Sequence, residues 1–149
     1  MLRILEAGVD MLFPKKETIK LSPITVIAGA ILSDGKILIT RRAQGKSLGG
    51  FWEFPGGKLE KESEEQALIR EIKEELSLNI AVKDFIADTT YDYDNFSIYL
   101  KVYSAVILSG EIKLVDHDMF RWVAKDQLKD FNFAPADIPI IKKMAADEL

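Results

Sequence analysis

The chain has 149 residues, 48% hydrophobic and 30% charged, with a formal net charge of −4, one histidine and no cysteine. That is the size and composition of one globular domain with a real core, not of a disordered chain. Disulfides and thiolate metal sites are excluded, as is a multi-histidine zinc centre, and no basic stripe suits a nucleic-acid polymer. A small anionic ligand stays open, provided a metal supplies the positive charge.

Residues 1–22 read as an extension of unclear role ahead of a domain spanning 23–149. Met1–Leu12 fits a short helix or strand, and Pro14, Lys15 and Lys16 mark a turn. Arg3, Glu6 and Asp10 interrupt the apolar residues, so there is no secretory h-region, and no segment reaches the length of a membrane span. A soluble, cytoplasmic protein, monomeric or homodimeric, is expected.

Ile24–Leu32 is a β-branched apolar run suited to a buried strand. Ser33-Asp34-Gly35-Lys36 then predicts a hairpin turn, with Ile37–Arg41 as the returning strand. Ala43–Gly50 is a polar loop, Phe51–Phe54 a short aromatic strand, and Pro55-Gly56-Gly57 a turn. Ser63 as N-cap with Gln66 three residues later opens a helix to about Leu76. Ile80–Thr90 and Phe96–Leu108 read as strands, Ser109-Gly110 as a turn, Met119–Val123 as a short strand and Ala124–Lys129 as a helical turn. Pro135 opens a last helix to about Ala145. The pattern is mixed α/β with a largely antiparallel sheet.

The helix after Ser63 carries an unusual flank. At about 100° per residue, Glu74 and Glu75 fall on either side of Glu71, with Glu64 joining them an earlier turn and a half. Like charges three and four apart cost a helix roughly 0.2–0.5 kcal/mol per pair. A face that accepts this repeatedly points to a cation, and oxygen-only ligands suit magnesium or manganese.

The stretch fits Gly-x5-Glu-x7-Arg-Glu-U-x-Glu-Glu-x-Gly-U, where U is aliphatic, through Gly56, Glu62, Arg70, Glu71, Ile72, Glu74, Glu75 and Leu78. It resembles the Nudix hydrolase signature. Two positions depart from it: Ser77 stands where the family has glycine, and counting from Gly57 leaves the turn before Glu62 one residue short. Thr40-Arg41-Arg42, Leu48–Lys58 and Ala134–Pro139 are similar to the subgroup of mutator-type 8-oxo-dGTP hydrolases and cytidine-triphosphate pyrophosphohydrolases. The resemblance covers about residues 24–145. It implies an α/β/α sandwich and a magnesium-dependent enzyme (manganese possible) that cleaves nucleoside triphosphates to monophosphate and pyrophosphate. A nucleotide-binding module of the same fold without turnover is the rival reading, which loss of a helix glutamate would mark.

The resemblance assigns Glu71, Glu74 and Glu75 as metal ligands, with the Gly56 carbonyl as a further one. An acidic helix face alone reads as solvated surface; the glycines, Arg70 and Glu62 at matching distances reverse that weighting. Arg70 pairs with Glu62 or a neighbouring glutamate and organises the site, against the bland reading of an exposed partner for Glu74. Asp116, before His117 and Trp122, matches a family glutamate that serves as metal ligand or general base, or it is merely loop. Glu71 and Asp116 remain alternative bases. Arg42 and Lys58 are candidate phosphate contacts, Arg42 being otherwise a strand-end charge. Tyr93 either stacks on a base or covers the core edge. Asp137 either reads a base or compensates a helix N-terminus. The amino group of cytosine suits it, as do the N1–H and amine of guanine, and its identity as aspartate tilts the reading toward cytosine. Phe131 and Phe133 are an apolar wall nearby or core.

Overall fold

The computed structural model describes residues 22–146. The N-terminal extension assigned to residues 1–22 therefore lies almost wholly outside the described residues. The elements are β1 (Ile24–Ser33), β2 (Lys36–Arg42), β3 (Trp52–Glu53), β4 (Gly56–Lys58), α1 (Glu64–Leu76), β5 (Leu78–Asp92), β6 (Ser97–Gly110), β7 (His117–Ala124) and α2 (Ile138–Ala146). Two 3-10 turns, Lys125–Asp130 and Pro135–Asp137, precede α2.

The strands form one seven-stranded mixed sheet with β1 at its centre. Parallel pairing with β6 (Ile24↔Ile98 to Ile31↔Ala105) contrasts with antiparallel pairing to β4 and, at its far end, β2. Beyond β6 lies β5; β2 carries β3 and β7. The β1–β2 reversal uses Asp34 and Gly35, both at positive φ (51° and 74°), as an Asp-Gly hairpin turn requires.

Side chains along β1 alternate between two cores, following the period of two of a strand. Ile27 and Ile31 face α1, whose Ala67, Leu68, Ile72 and Leu76 are fully buried against them with Leu38, Leu78 and Ile80. Val26, Ala28 and Ala30 face the opposite way, onto Ile140 and Met144 of α2 together with Phe54, Leu100 and Val102. Helix, sheet and helix are thus three layers, the α/β/α sandwich expected. Each fully buried Leu or Ile contributes about 1.5–3 kcal/mol, so the helix stripe alone fixes α1 on the sheet.

Two expected turns are strand instead. Gly56–Lys58 is not a turn but β4, and the reason is steric. A Cβ on Gly56 would stand 2.1 Å from the Ile27 carbonyl oxygen and 2.5 Å from the Ala28 Cα. Only glycine lets the two backbones approach so closely. Ser109-Gly110 likewise continues β6, with Gly110 opposite Leu78. Helix α1 begins as expected: Ser63 Oγ accepts from the Gln66 N–H at 3.1 Å. It ends with Ser77 in the left-handed conformation (φ 60°, ψ 31°), its N–H donating to the Lys73 carbonyl.

Candidate active site

Arg70 is the hub of the region between β4 and α1. Its Nη2 donates to Glu62 Oε1 at 2.7 Å and to the Lys58 carbonyl at 3.2 Å, and its Nε to Glu62 Oε2 at 3.3 Å. Nη1 donates to Glu71 Oε1 at 2.8 Å, and Glu74 Oε2 lies 3.6 Å away. The fork of a guanidinium suits this two-point hold on a carboxylate. The bond from Arg70 holds the Glu62 carboxyl below its ordinary range, and the Glu62 bond in turn raises Arg70. The shortened turn does not dislodge Glu62, because the Glu60 N–H also donates to it at 3.3 Å.

Glu71 and Glu75 are buried, whereas the Glu74 side chain is half exposed. Gly57 makes room for Glu71: a Cβ there would sit 2.1 Å from the Glu71 Cδ and 2.3–2.6 Å from its oxygens. Glu75 faces a second buried set. His117 Nε2 donates to Glu53 Oε2 at 2.8 Å, and His117 Nδ1 lies 3.9 Å from Glu75 Oε2. Burial first, then the nearby charges of Glu53 and Glu71, push the Glu75 carboxyl upward, with His117 opposing.

These observations test the donor set for a divalent ion. The side-chain donors are carboxylate oxygens, those of Glu71 and Glu75 buried close together and that of Glu74 half exposed, beside a glycine cradle, and a hard cation fits that chemistry. Among the described residues no three of these groups already converge on one point; Glu71 is turned to Arg70.

Arg42 lies fully buried in the next layer. Its Nε donates to the Ser47 carbonyl at 3.3 Å, and its two terminal nitrogens have no hydrogen-bond partner. The 43–50 loop folds back over it through the Gly50 N–H to the Arg42 carbonyl and the Arg42 N–H to Phe51. Arg41 points the other way and pairs with Asp118 at 2.8 Å, the alternation expected of a strand. Asp116 directly precedes His117, its Oδ1 3.8 Å from Lys46 Nζ and its carbonyl accepting from Ala43.

At the third corner, Asp137 is fully buried at the start of α2. Burial and the charge of Glu53 raise its carboxyl well above the usual range, the Phe54 N–H opposing. The Tyr93 hydroxyl shares this corner and is pushed up to about 12 by burial, with Asp137 and Glu53 adding to it. The Tyr93 ring lies between Tyr91 and Phe96, centroids 4.8 and 5.0 Å away. Phe133 is buried against Phe54, and Phe131 meets Trp52 edge-on.

The structure thus arranges Glu62, Glu71 and Glu74 around the Arg70 guanidinium, and sets Glu75 beside His117, which follows Asp116. Glu64 is not with them: Tyr103 donates to one of its oxygens and Lys101 to the other at 2.7 Å, so it bonds to β6. Lys58 meets Arg70 through its backbone carbonyl. Sequence reasoning missed Glu53 and the position of His117. The signal for Glu53 was a carboxylate between Trp52 and Phe54 in an otherwise aromatic strand, where burial of an unpaired charge is costly.

A family model, "NUDIX domain", matches residues 27–143. The chain belongs to the Nudix family, whose members hydrolyse phosphoric anhydrides, and it is an enzyme of that kind. Among its relatives is the CTP pyrophosphohydrolase of Escherichia coli (strain K12), 34% identical over 124 residues, covering 83% of this chain and 92% of that one. A putative 8-oxo-dGTP diphosphatase 2 of Mycobacterium tuberculosis (strain ATCC 25618 / H37Rv) is 38% identical over 116 residues, 75% and 81% of the two chains. Among solved structures, the E. coli ORF135 protein superposes with a TM-score of 0.74 at 32% identity, covering 85% of this chain and 91% of that one. No described helix is long and apolar enough to cross a membrane.

Proposed function

We propose that the chain is a divalent-metal-dependent pyrophosphohydrolase that cleaves nucleoside triphosphates to the monophosphate and pyrophosphate, clearing modified nucleotides of the 8-oxo-dGTP or CTP/5-methyl-dCTP type from the cytoplasmic pool. The observation that carries this is the oxygen-only carboxylate face of α1, two of its members buried, held against the glycine strand by Arg70 and Glu62. The relatives named above, a CTP pyrophosphohydrolase and a putative 8-oxo-dGTP diphosphatase, support the substrate class.

Glu71, Glu74, Glu75, Asp116 and the Gly56 carbonyl would hold magnesium, or manganese in its place. Bound there, the ion neutralises phosphate charge and polarises the phosphorus under attack. Arg42 offers its two unpartnered terminal nitrogens to phosphate oxygens, and Lys58 is a second cation for them. Glu71 or Asp116 accepts the proton of the attacking water. Arg70 touches no substrate; it fixes the direction of Glu71. Asp137 and Tyr93 form the corner for the base, where burial favours the protonated Asp137 carboxyl, the form that can both donate to and accept from a base edge.

The test is pyrophosphate release with magnesium and 8-oxo-dGTP, dCTP, CTP and 5-methyl-dCTP, compared as kcat/KM. Turnover of at least one is expected. Nucleotide binding without any turnover would establish the binding-module reading instead. A Glu74→Gln variant retaining full activity would remove Glu74 from the ligand set.

A further inference from the structure

We propose that Glu53 and His117 form a buried brace that positions Glu75, and with it the carboxylate face of α1, for a divalent cation; the inference rests on the reading above. The His117 imidazole is planar, rigid and without solvent exposure. One nitrogen donates to Glu53 at 2.8 Å and the other lies 3.9 Å from a Glu75 oxygen, all three side chains being almost wholly buried. A single ring therefore touches three elements: β3, β7 and α1.

Each of those elements leads straight into a residue assigned to the site. Glu53 stands three residues before Gly56. His117 follows Asp116 and is paired across the strands with Arg42. Glu75 follows Glu74. The Glu53–His117 bond ties β3 to β7 across residues 64 apart in the chain and fixes the ring in place. The ring's other nitrogen, 3.9 Å from Glu75, is where the sheet meets the helix face.

Stability does not account for the pair. A buried hydrogen-bonded or ionic pair is often replaceable by packed apolar groups of similar shape with little loss, or with a gain, in stability. Neighbouring apolar residues could fill this layer, as Leu38, Phe120 and Trp122 do further along the same sheet face. Outer partners of a metal ligand, by contrast, orient it, and their removal commonly weakens metal affinity about 10–100-fold. Neither residue touches the proposed substrate, so both are positioning residues.

The test compares wild type with Glu53→Gln, His117→Gln and the paired variant Glu53→Leu/His117→Phe. Folding is followed by circular dichroism and Tm, and Mn2+ affinity by electron paramagnetic resonance without nucleotide. The paired variant should keep or raise Tm while its Mn2+ dissociation constant rises about ten-fold or more. In the same variant kcat should fall with nucleotide KM within about three-fold, and its losses should not exceed those of His117→Gln, because the two residues act as one unit. A folded paired variant with wild-type Mn2+ affinity overturns the brace, as does unchanged affinity in His117→Gln should the pair not fold. The Mn2+ titration needs no turnover: a wild type that binds Mn2+ but hydrolyses nothing would refute the proposed reaction and still leave the brace to be decided.

Discussion

Gly57→Ala separates placement of the Glu71 carboxylate from integrity of the fold. Gly57 is a strand residue outside the positive-φ set, so alanine meets no backbone strain. The new methyl would lie 2.1 Å from the Glu71 Cδ. Reaching an ordinary contact of about 3.4 Å obliges that carboxyl to recede by roughly 1.3 Å, breaking its 2.8 Å bond from Arg70. Misplacement by about 1 Å commonly costs on the order of 100-fold in rate, or about 2.7 kcal/mol of barrier. The expected outcome is kcat/KM for pyrophosphate release down about 100-fold, with a circular dichroism spectrum like that of wild type. Gly56→Ala is the contrast: its methyl meets the backbone of Ile27 and Ala28, so it should disrupt the β1–β4 pairing and lower Tm sharply. Gly57→Ala with kcat/KM within about three-fold of wild type would refute the argument that Glu71 needs this cradle.

Ser77→Gly should stabilise the protein by about 0.5–1 kcal/mol, since an L-residue in the left-handed region costs about 1–2 kcal/mol and the glycine gives part of this back as unfolded-chain entropy. A Tm rise of about 2–4 °C is expected, and an unchanged or lower Tm would contradict it. Asp137→Asn should gain stability over wild type as pH rises above 3.8. The folded carboxyl titrates well above that value because of burial and Glu53, so wild type loses stability as pH climbs toward its folded pKa, and asparagine does not. Tm measured against pH should show the gap closing in acid; a gap independent of pH would refute the assignment. Glu62→Gln should behave oppositely. The Glu62 pKa is lowered by Arg70, so its contribution is present above the ordinary 4.5 and fades as pH falls through the lower folded value. Wild type and variant should therefore converge in acid denaturation and separate near neutrality.

Features set by near neighbours were legible in the sequence. The Asp34-Gly35 reversal and the Ser63 cap followed from local chemistry, and the carboxylate flank of Glu71, Glu74 and Glu75 followed from helical period alone. The charge spacing of Glu62, Arg70 and Glu71 was legible for the same reason: a loop and one helix carry all of it. Gly56 was misread as a turn because its requirement comes from β1, some thirty residues away. Glu64 was placed on the same carboxylate face by the helical wheel, which knows nothing of Lys101 and Tyr103 on β6. Glu53 and His117 meet only through the β2–β3 and β2–β7 pairings, so the register of two strand pairs had to be known before their contact could be.

The central position of β1 has a consequence for how the chain is made. The first described strand to leave the ribosome is apolar on both faces, and its parallel partner begins 74 residues later, at the Ile24↔Ile98 pairing. At about 5–20 residues per second it waits roughly 4–15 s before that partner exists. During this interval the edge of Ile24–Ile31 that β6 covers stays open, on an apolar segment of the composition that nucleates intermolecular pairing. The β1–β2 hairpin, closed early by Asp34-Gly35, pairs only Leu32 and Ser33 beyond the end of that segment, and β4 later covers the opposite edge at Val26–Ala28. The strand order of the sheet, and no residue of the site, thus sets how long that edge of β1 stays open in the nascent chain.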